Sequence, residues 1–175
     1  MSTPPPPPAA AAAFESTEVA EIERALTRIS YLTSRVRRHE RLMALAGLPL
    51  DRAAVALLRQ VADSGSLRPS ELANLLSVEA SHVTRQVQQL KKAGYLTRVP
   101  DPKDRRAQRI ELTLSGRDAV DRVREASCRG VSVALAGWSP EDLQQLATLC
   151  HRLADDFFEH AEDDIDMVHD ISSGG

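Results

Sequence analysis

Ser81, His82, Thr84, Arg85, Gln88 and Gln89 crowd into one short polar stretch, and Lys103, Asp104, Arg105, Arg106 and Arg109 follow soon after it. Arg can pair with guanine through two hydrogen bonds, Gln can do the same with adenine, and Ser can bond a base or a phosphate, so these side chains suit the edges and backbone of duplex DNA. The charge distribution agrees. Residues 68 to 117 carry a net +5, against +1 before them, zero over 118 to 140 and −9 from 141 onward, within a chain of net charge −3. A basic segment inside an acidic protein is what phosphate neutralisation with counterion release requires. The plainer alternative is a solvated basic face.

The elements must place these residues on one surface. Stepping about 100° per residue from Val83, the apolar residues Ala80, Val83, Val87 and Leu90 centre on one side of a helix over 79–93, while Arg85 lies opposite, flanked by Ser81, His82, Gln88 and Gln89. Thr84 stands at the edge of that polar face. Gly94 sits where a left-handed C-terminal cap belongs, with Lys91 and Lys92 in the last turn, where cations favour the helix dipole. A shorter helix over Pro69–Leu76 precedes, with a break at Ser77 and Val78, and the pair reads as a helix-turn-helix. Two strands follow, 95–99 and 109–114, the second alternating polar with apolar. The turn-rich basic loop between them makes a wing. Arg105 and Arg106 project from its tip, where a narrow minor groove would draw a guanidinium, and Lys103 and Arg109 read as phosphate contacts.

Long helices flank this lobe. Val19, Ile22, Leu26, Ile29, Leu32, Val36 and Met43 recur mostly at spacings of three and four, predicting one amphipathic helix from Glu15 to Gly47. At 1.5 Å per residue it is roughly 45 Å long, more than so small a domain covers, which asks for a partner chain. Asp51 caps the next helix, whose apolar face holds Val55, Leu57, Leu58 and Val61. Ser115 and Asp118 form a capping box for a later helix through Leu135, and Ser139-Pro140-Glu141-Asp142 opens the last one. Its stripe, Leu143, Leu146, Leu149, Cys150, Leu153, Phe157 and Phe158, again exceeds what one lobe can bury. Trp138 reads as core at the junction of the last two helices. The expected organisation is a disordered Pro/Ala tail (1–14), a dimerisation helix (15–49), a DNA-binding lobe (50–114), C-terminal dimerisation helices (115–160) and an acidic tail (161–175). The fold class is mainly α with a small β wing (α+β).

No stretch approaches the roughly 18 uncharged apolar residues that cross a bilayer, and the N-terminal Pro run is unlike a signal peptide, so the expected setting is the cytoplasm, with no membrane partner. Cys128 and Cys150 are too few and too far apart for a disulfide scaffold. Cys150, on the apolar stripe, reads as core; a redox-responsive regulator would need an accessible, low-pKa thiol. The cluster His160, Glu162, Asp163, Asp164 and His169 has ligand-like types without regular spacing, so no metal site and no cofactor are expected. The absence of a Gly-rich phosphate loop, a His-Glu-x-x-His motif or a nucleophile elbow argues against an enzyme.

Val83-Thr84-Arg85, Leu90, Gly94-Tyr95-Leu96-Thr97-Arg98, the wing Asp101-Pro102-Lys103-Asp104-Arg105-Arg106, Leu112-Thr113 and Gly116, together with the order of elements, resemble the MarR family of bacterial transcriptional regulators. The resemblance covers Glu15 to about Phe158. It implies a homodimer with interleaved first and last helices, built here on Val19, Ile22, Leu26, Leu146, Leu149, Leu153 and Phe157. It also implies repression of an inverted-repeat operator until a small anionic or aromatic effector, an oxidant or a metal releases it. Asp104 would brace the wing and Arg106 would enter the minor groove. An effector pocket would lie between the dimerisation helices and the lobe, with Tyr31, Arg35, Arg38 and His39 as candidates, although ion pairs with a stacked Tyr account for the same residues. The competing function is a winged-helix module that binds protein and no longer reads DNA. Retention of Arg85 and the wing arginines favours DNA.

Overall fold

The structure is a computed structural model that describes residues 17–104 and 106–172, with only the backbone of Phe158 and of 161–172. The proposed Pro/Ala tail, Arg105, and the side chains of the acidic tail lie outside the described residues. The described chain is mostly helical and contains one two-stranded antiparallel sheet. It divides into two compact units, Met1–Ser127 and Cys128–Gly175.

In the first unit, α1 (Thr17–Thr33) and α2 (Val36–Ala46) replace the single helix expected over 15–47. The hydroxyls explain the break. Thr33 Oγ1 donates to Ser30 O and Ser34 Oγ to Tyr31 O, so side chains occupy the carbonyls of the preceding turn. Arg35 then turns extended at φ −64°, ψ 132° and starts α2. The second helix ends at Gly47, whose φ of 63° suits a residue without Cβ. Beyond it, α3 (Arg52–Ser64) begins as expected at Asp51, whose Oδ1 accepts from Ala54 N at 2.7 Å.

The core of this unit gathers Met43 and Ala46 of α2, Leu57, Leu58 and Val61 of α3, Leu72 of α4 (Pro69–Leu75), Val83, Val87 and Leu90 of α5 (Ala80–Lys92), Leu96 of β1 (Leu96–Pro100), Ile110 of β2 (Gln108–Leu112), and Ala119, Val123 and Ala126 of α6 (Leu114–Ala134). Removing these apolar side chains from water is the principal favourable term holding the lobe together. The strands pair Leu96 with Leu112 and Pro100 with Gln108. Leu67 adds a bridge, exchanging backbone hydrogen bonds with Ile110 at 2.7 and 3.2 Å, and so docks the hairpin on the stretch before α4.

One N-terminal detail of α6 departs from expectation. The cap is Thr113 rather than Ser115: its Oγ1 accepts from Gly116 N at 3.0 Å and donates to Gly94 O at 2.6 Å. Gly116 is required by space, since a Cβ there would stand 2.1 Å from Tyr95 O.

In the second unit α7 (Pro140–Ser172) opens as expected, with Ser139 Oγ accepting from Asp142 N at 3.1 Å. Its 33 residues extend through most of the segment expected to be a separate acidic tail (161–175). Leu149 and Phe157 are exposed, and Leu146 and Leu153 half-buried. Cys150 and Trp138 are exposed as well, correcting their assignment to a core. Among the described residues no helix is long and apolar enough to cross a membrane.

Candidate nucleic-acid interface

The turn that aims the recognition helix is tight. Ser77 N donates to Asn74 O and Val78 N to Ala73 O, and Ser77 takes a left-handed φ of 51° to make the corner. From there α5 buries Val83, Val87 and Leu90. Ala80, expected on the buried face, is exposed. Gln86 takes a buried place on the flank, with Nε2 directed at Asp51 Oδ2 at 3.5 Å. Ser81, Thr84, Arg85, Gln88 and Gln89 are exposed and His82 is half-buried. Thr84 Oγ1 donates to Ala80 O at 2.9 Å, and Arg85 Nη2 lies 3.3 Å from His82 Nδ1. One solvent-facing surface therefore holds a guanidinium and two carboxamides.

The wing is braced chiefly by a motif residue, Asp101, where the brace was expected at Asp104. Asp101 is buried, and its Oδ2 accepts from Arg68 Nε at 2.7 Å and faces Arg109 Nη1 at 3.3 Å. Its Oδ1 accepts from the backbone of Lys103 at 2.8 Å and of Asp104 at 3.2 Å. The Arg68 hydrogen bond first, and then the Lys103 N–H, hold the Asp101 carboxyl well below the usual carboxylate range. The same contact raises the pKa of the Arg68 guanidinium. Glu71 joins by accepting from Arg68 N at 2.7 Å. A carboxylate removed from water is tolerated here because four donors surround it.

This network changes the reading of two predicted wing residues. Arg109 is not displayed as a phosphate contact. Its guanidinium is half-buried, donating to Ser66 O and to Ser66 Oγ and pairing with Asp101 and with Glu71 at 3.4 Å, so it fixes the base of the wing. Asp104 holds only the tip, where its Oδ1 accepts from Arg106 N at 3.0 Å; the main brace is Asp101. Lys103 and Arg106 are exposed, and Arg105 lies outside the described residues. The available signal was Arg68, a cation directly before the helix-starting Pro69, but nothing in the sequence pairs it with a residue 33 positions away.

Of the four proposed effector residues, Tyr31 and Arg35 meet. Arg35 stacks over Tyr31, 5.2 Å from the ring centroid. His39 Nε2 instead lies 2.9 Å from Leu50 O, tying α2 to the segment before α3. Arg38 is exposed. Of the ligand-like cluster near the C-terminus, only the His160 side chain is described, and its Nδ1 lies 2.8 Å from Asp156 O.

A short helix, a tight turn, a longer helix with a polar outer face and a braced basic hairpin define a winged helix-turn-helix. Residues 50–107, the centre of this winged lobe, match the model of the MarR family. Over 99 residues the chain is 31% identical to the HTH-type transcriptional regulator PecS of Dickeya dadantii, a match spanning 57% of this chain and 60% of PecS. A MarR family protein from Bacillus stearothermophilus superposes with a TM-score of 0.71 at 23% identity, over 81% of this chain and 96% of that one. The transcriptional regulator Tm0710 from Thermotoga maritima does so with a TM-score of 0.61 at 27% identity, over the same shares.

Proposed function

We propose that the chain is a cytoplasmic, homodimeric, sequence-specific DNA-binding regulator of transcription, which represses an inverted-repeat operator and is released by a small anionic or aromatic effector. The observation that carries the DNA reading is the exposed surface of α5, Ser81, Arg85, Gln88 and Gln89, beside a wing whose exposed Arg106 stands on an internally braced base. This arrangement suits a helix in the major groove and a guanidinium at the adjacent minor groove. Dimerisation is supported by the exposed Val19 and Ile22 of α1 and by Leu149 and Phe157 of α7. Repression and effector release rest on the family resemblance. Selection from random duplexes tests the whole: a two-fold repeat with half-sites centred ~10 bp apart, or a multiple of it, is expected from a symmetric dimer. Recovery of an unrepeated motif, or of no motif, contradicts the proposal.

A further inference from the structure

The last turn of α5 and strand β1 enclose an open groove lined by Gln88, Lys91, Lys92 and Arg98, with no acid in its lining. All four side chains are exposed. None of its three cations has an ion pair with a described residue. The usual explanation for lysines in a last turn is partnership with the free carbonyls of the helix end, and here that work is already done. Gly94 N donates to Lys91 O, and Tyr95 N to Leu90 O at 2.9 Å, with Gly94 at φ 82°. The ammonium groups are left facing solvent together with a guanidinium from a second element.

Position along α5 gives the groove a use. At about 100° per residue, Ser81, Arg85, Gln88 and Lys92 share one stripe. Ser81 and Lys92 are separated by roughly 16 Å along the axis, more than the ~12 Å width of the major groove. A recognition helix reads bases with its N-terminal residues. Its C-terminal end is then carried out to the phosphate wall.

We infer that Lys91, Lys92 and Arg98 form a phosphate-binding groove that takes the DNA backbone flanking the base-reading part of α5, with Gln88 at the boundary between base and phosphate contact. This deepens the DNA-binding reading and rests on it. The test uses a random-sequence duplex of about 40 bp titrated between ~50 and ~200 mM salt, where only backbone contacts count. Lys92→Gln/Arg98→Gln should lower the slope of log affinity against log salt by ~0.9 for each phosphate lost per lobe. Arg28→Gln/Arg152→Gln, which removes the same charge from exposed positions elsewhere, should keep the wild-type slope. Lys92→Gln on a selected duplex should weaken binding without changing base preference. The inference is overturned if the first variant keeps the wild-type slope, if both pairs lower it equally, or if Lys92→Gln alters base preference. A wild-type protein that binds no duplex instead overturns the underlying DNA reading, and the groove's assignment with it.

Discussion

Arg85 and Arg106 both end in exposed guanidinium groups, yet their settings give them different work. Arg85 stands on a rigid helix among hydrogen-bonding neighbours, so Arg85→Ala should relax preference at one base pair in each half-site by ~1 to 3 kcal/mol if it pairs with guanine. Arg106→Ala should weaken all sequences with little change in preference. Binding of both variants to an operator panel at fixed salt checks this; uniform weakening by Arg85→Ala would make Arg85 a phosphate clamp. Arg109 is a third case. Its partners are Ser66, Asp101 and Glu71, so Arg109→Ala should lower the melting temperature and leave the salt slope of binding nearly unchanged. Asp101 supplies a pH prediction. Its carboxyl is held low in the folded lobe, so its contribution to stability is complete above the ordinary carboxylate range, near pH ~4, and is lost as pH falls from there through the depressed folded value. Asp101→Asn should therefore be less stable than wild type at neutral pH, with the gap narrowing in acid, as urea midpoints at several pH values would show.

At the scale of elements, short-range chemistry decided where helices stop and backbone space decided how they pack. The Ser77 corner costs on the order of 1 kcal/mol in left-handed backbone that glycine would adopt freely, so Ser77→Gly should raise stability by a few tenths to about 1 kcal/mol without moving α5. Gly116 is the opposite case. Its α-carbon approaches Tyr95 O so closely that any side chain pushes α6 off the hairpin. Gly116→Ala should cost ~1 to 3 kcal/mol, measured by urea unfolding, and disturb DNA binding by displacing the wing. Arg122 adds a further tie, donating from α6 to Gly47 O at 3.0 Å.

At the scale of the whole molecule, the proposed dimer would cover apolar side chains that the single chain exposes, such as Ile22, Leu149 and Phe157. Burial of Leu153, Phe157 and their neighbours against a partner would supply association at ~25 cal/mol per Å² of apolar surface. Phe157→Asp or Leu153→Asp should weaken the dimer, as sedimentation at micromolar protein would show, and should sharply reduce operator binding, because one lobe reaches one half-site. A wild-type protein that sediments only as monomer would refute this assembly.

The sequence alone determined much of this protein because the relevant signals are local. Apolar periodicity located α3, α5 and the hairpin, Asp51 and Ser139 marked caps, Gly94 marked the left-handed exit of α5, and the basic wing and polar helix face exposed the candidate interface. Local patterns also misled where two local preferences competed, as when the hydroxyls of Thr33 and Ser34 ended a helix that the apolar stripe would have continued. What only the tertiary structure decided are the pairings between distant positions. Arg68 with Asp101 and Arg109 with Ser66 each join groups whose types are visible in the sequence, but whose meeting depends on how the hairpin docks through Leu67 and Ile110. Side-chain type fixes what a group can bond, and only the packed core fixes which group it meets; on that basis Arg109 supports the wing from inside while Arg106 remains exposed.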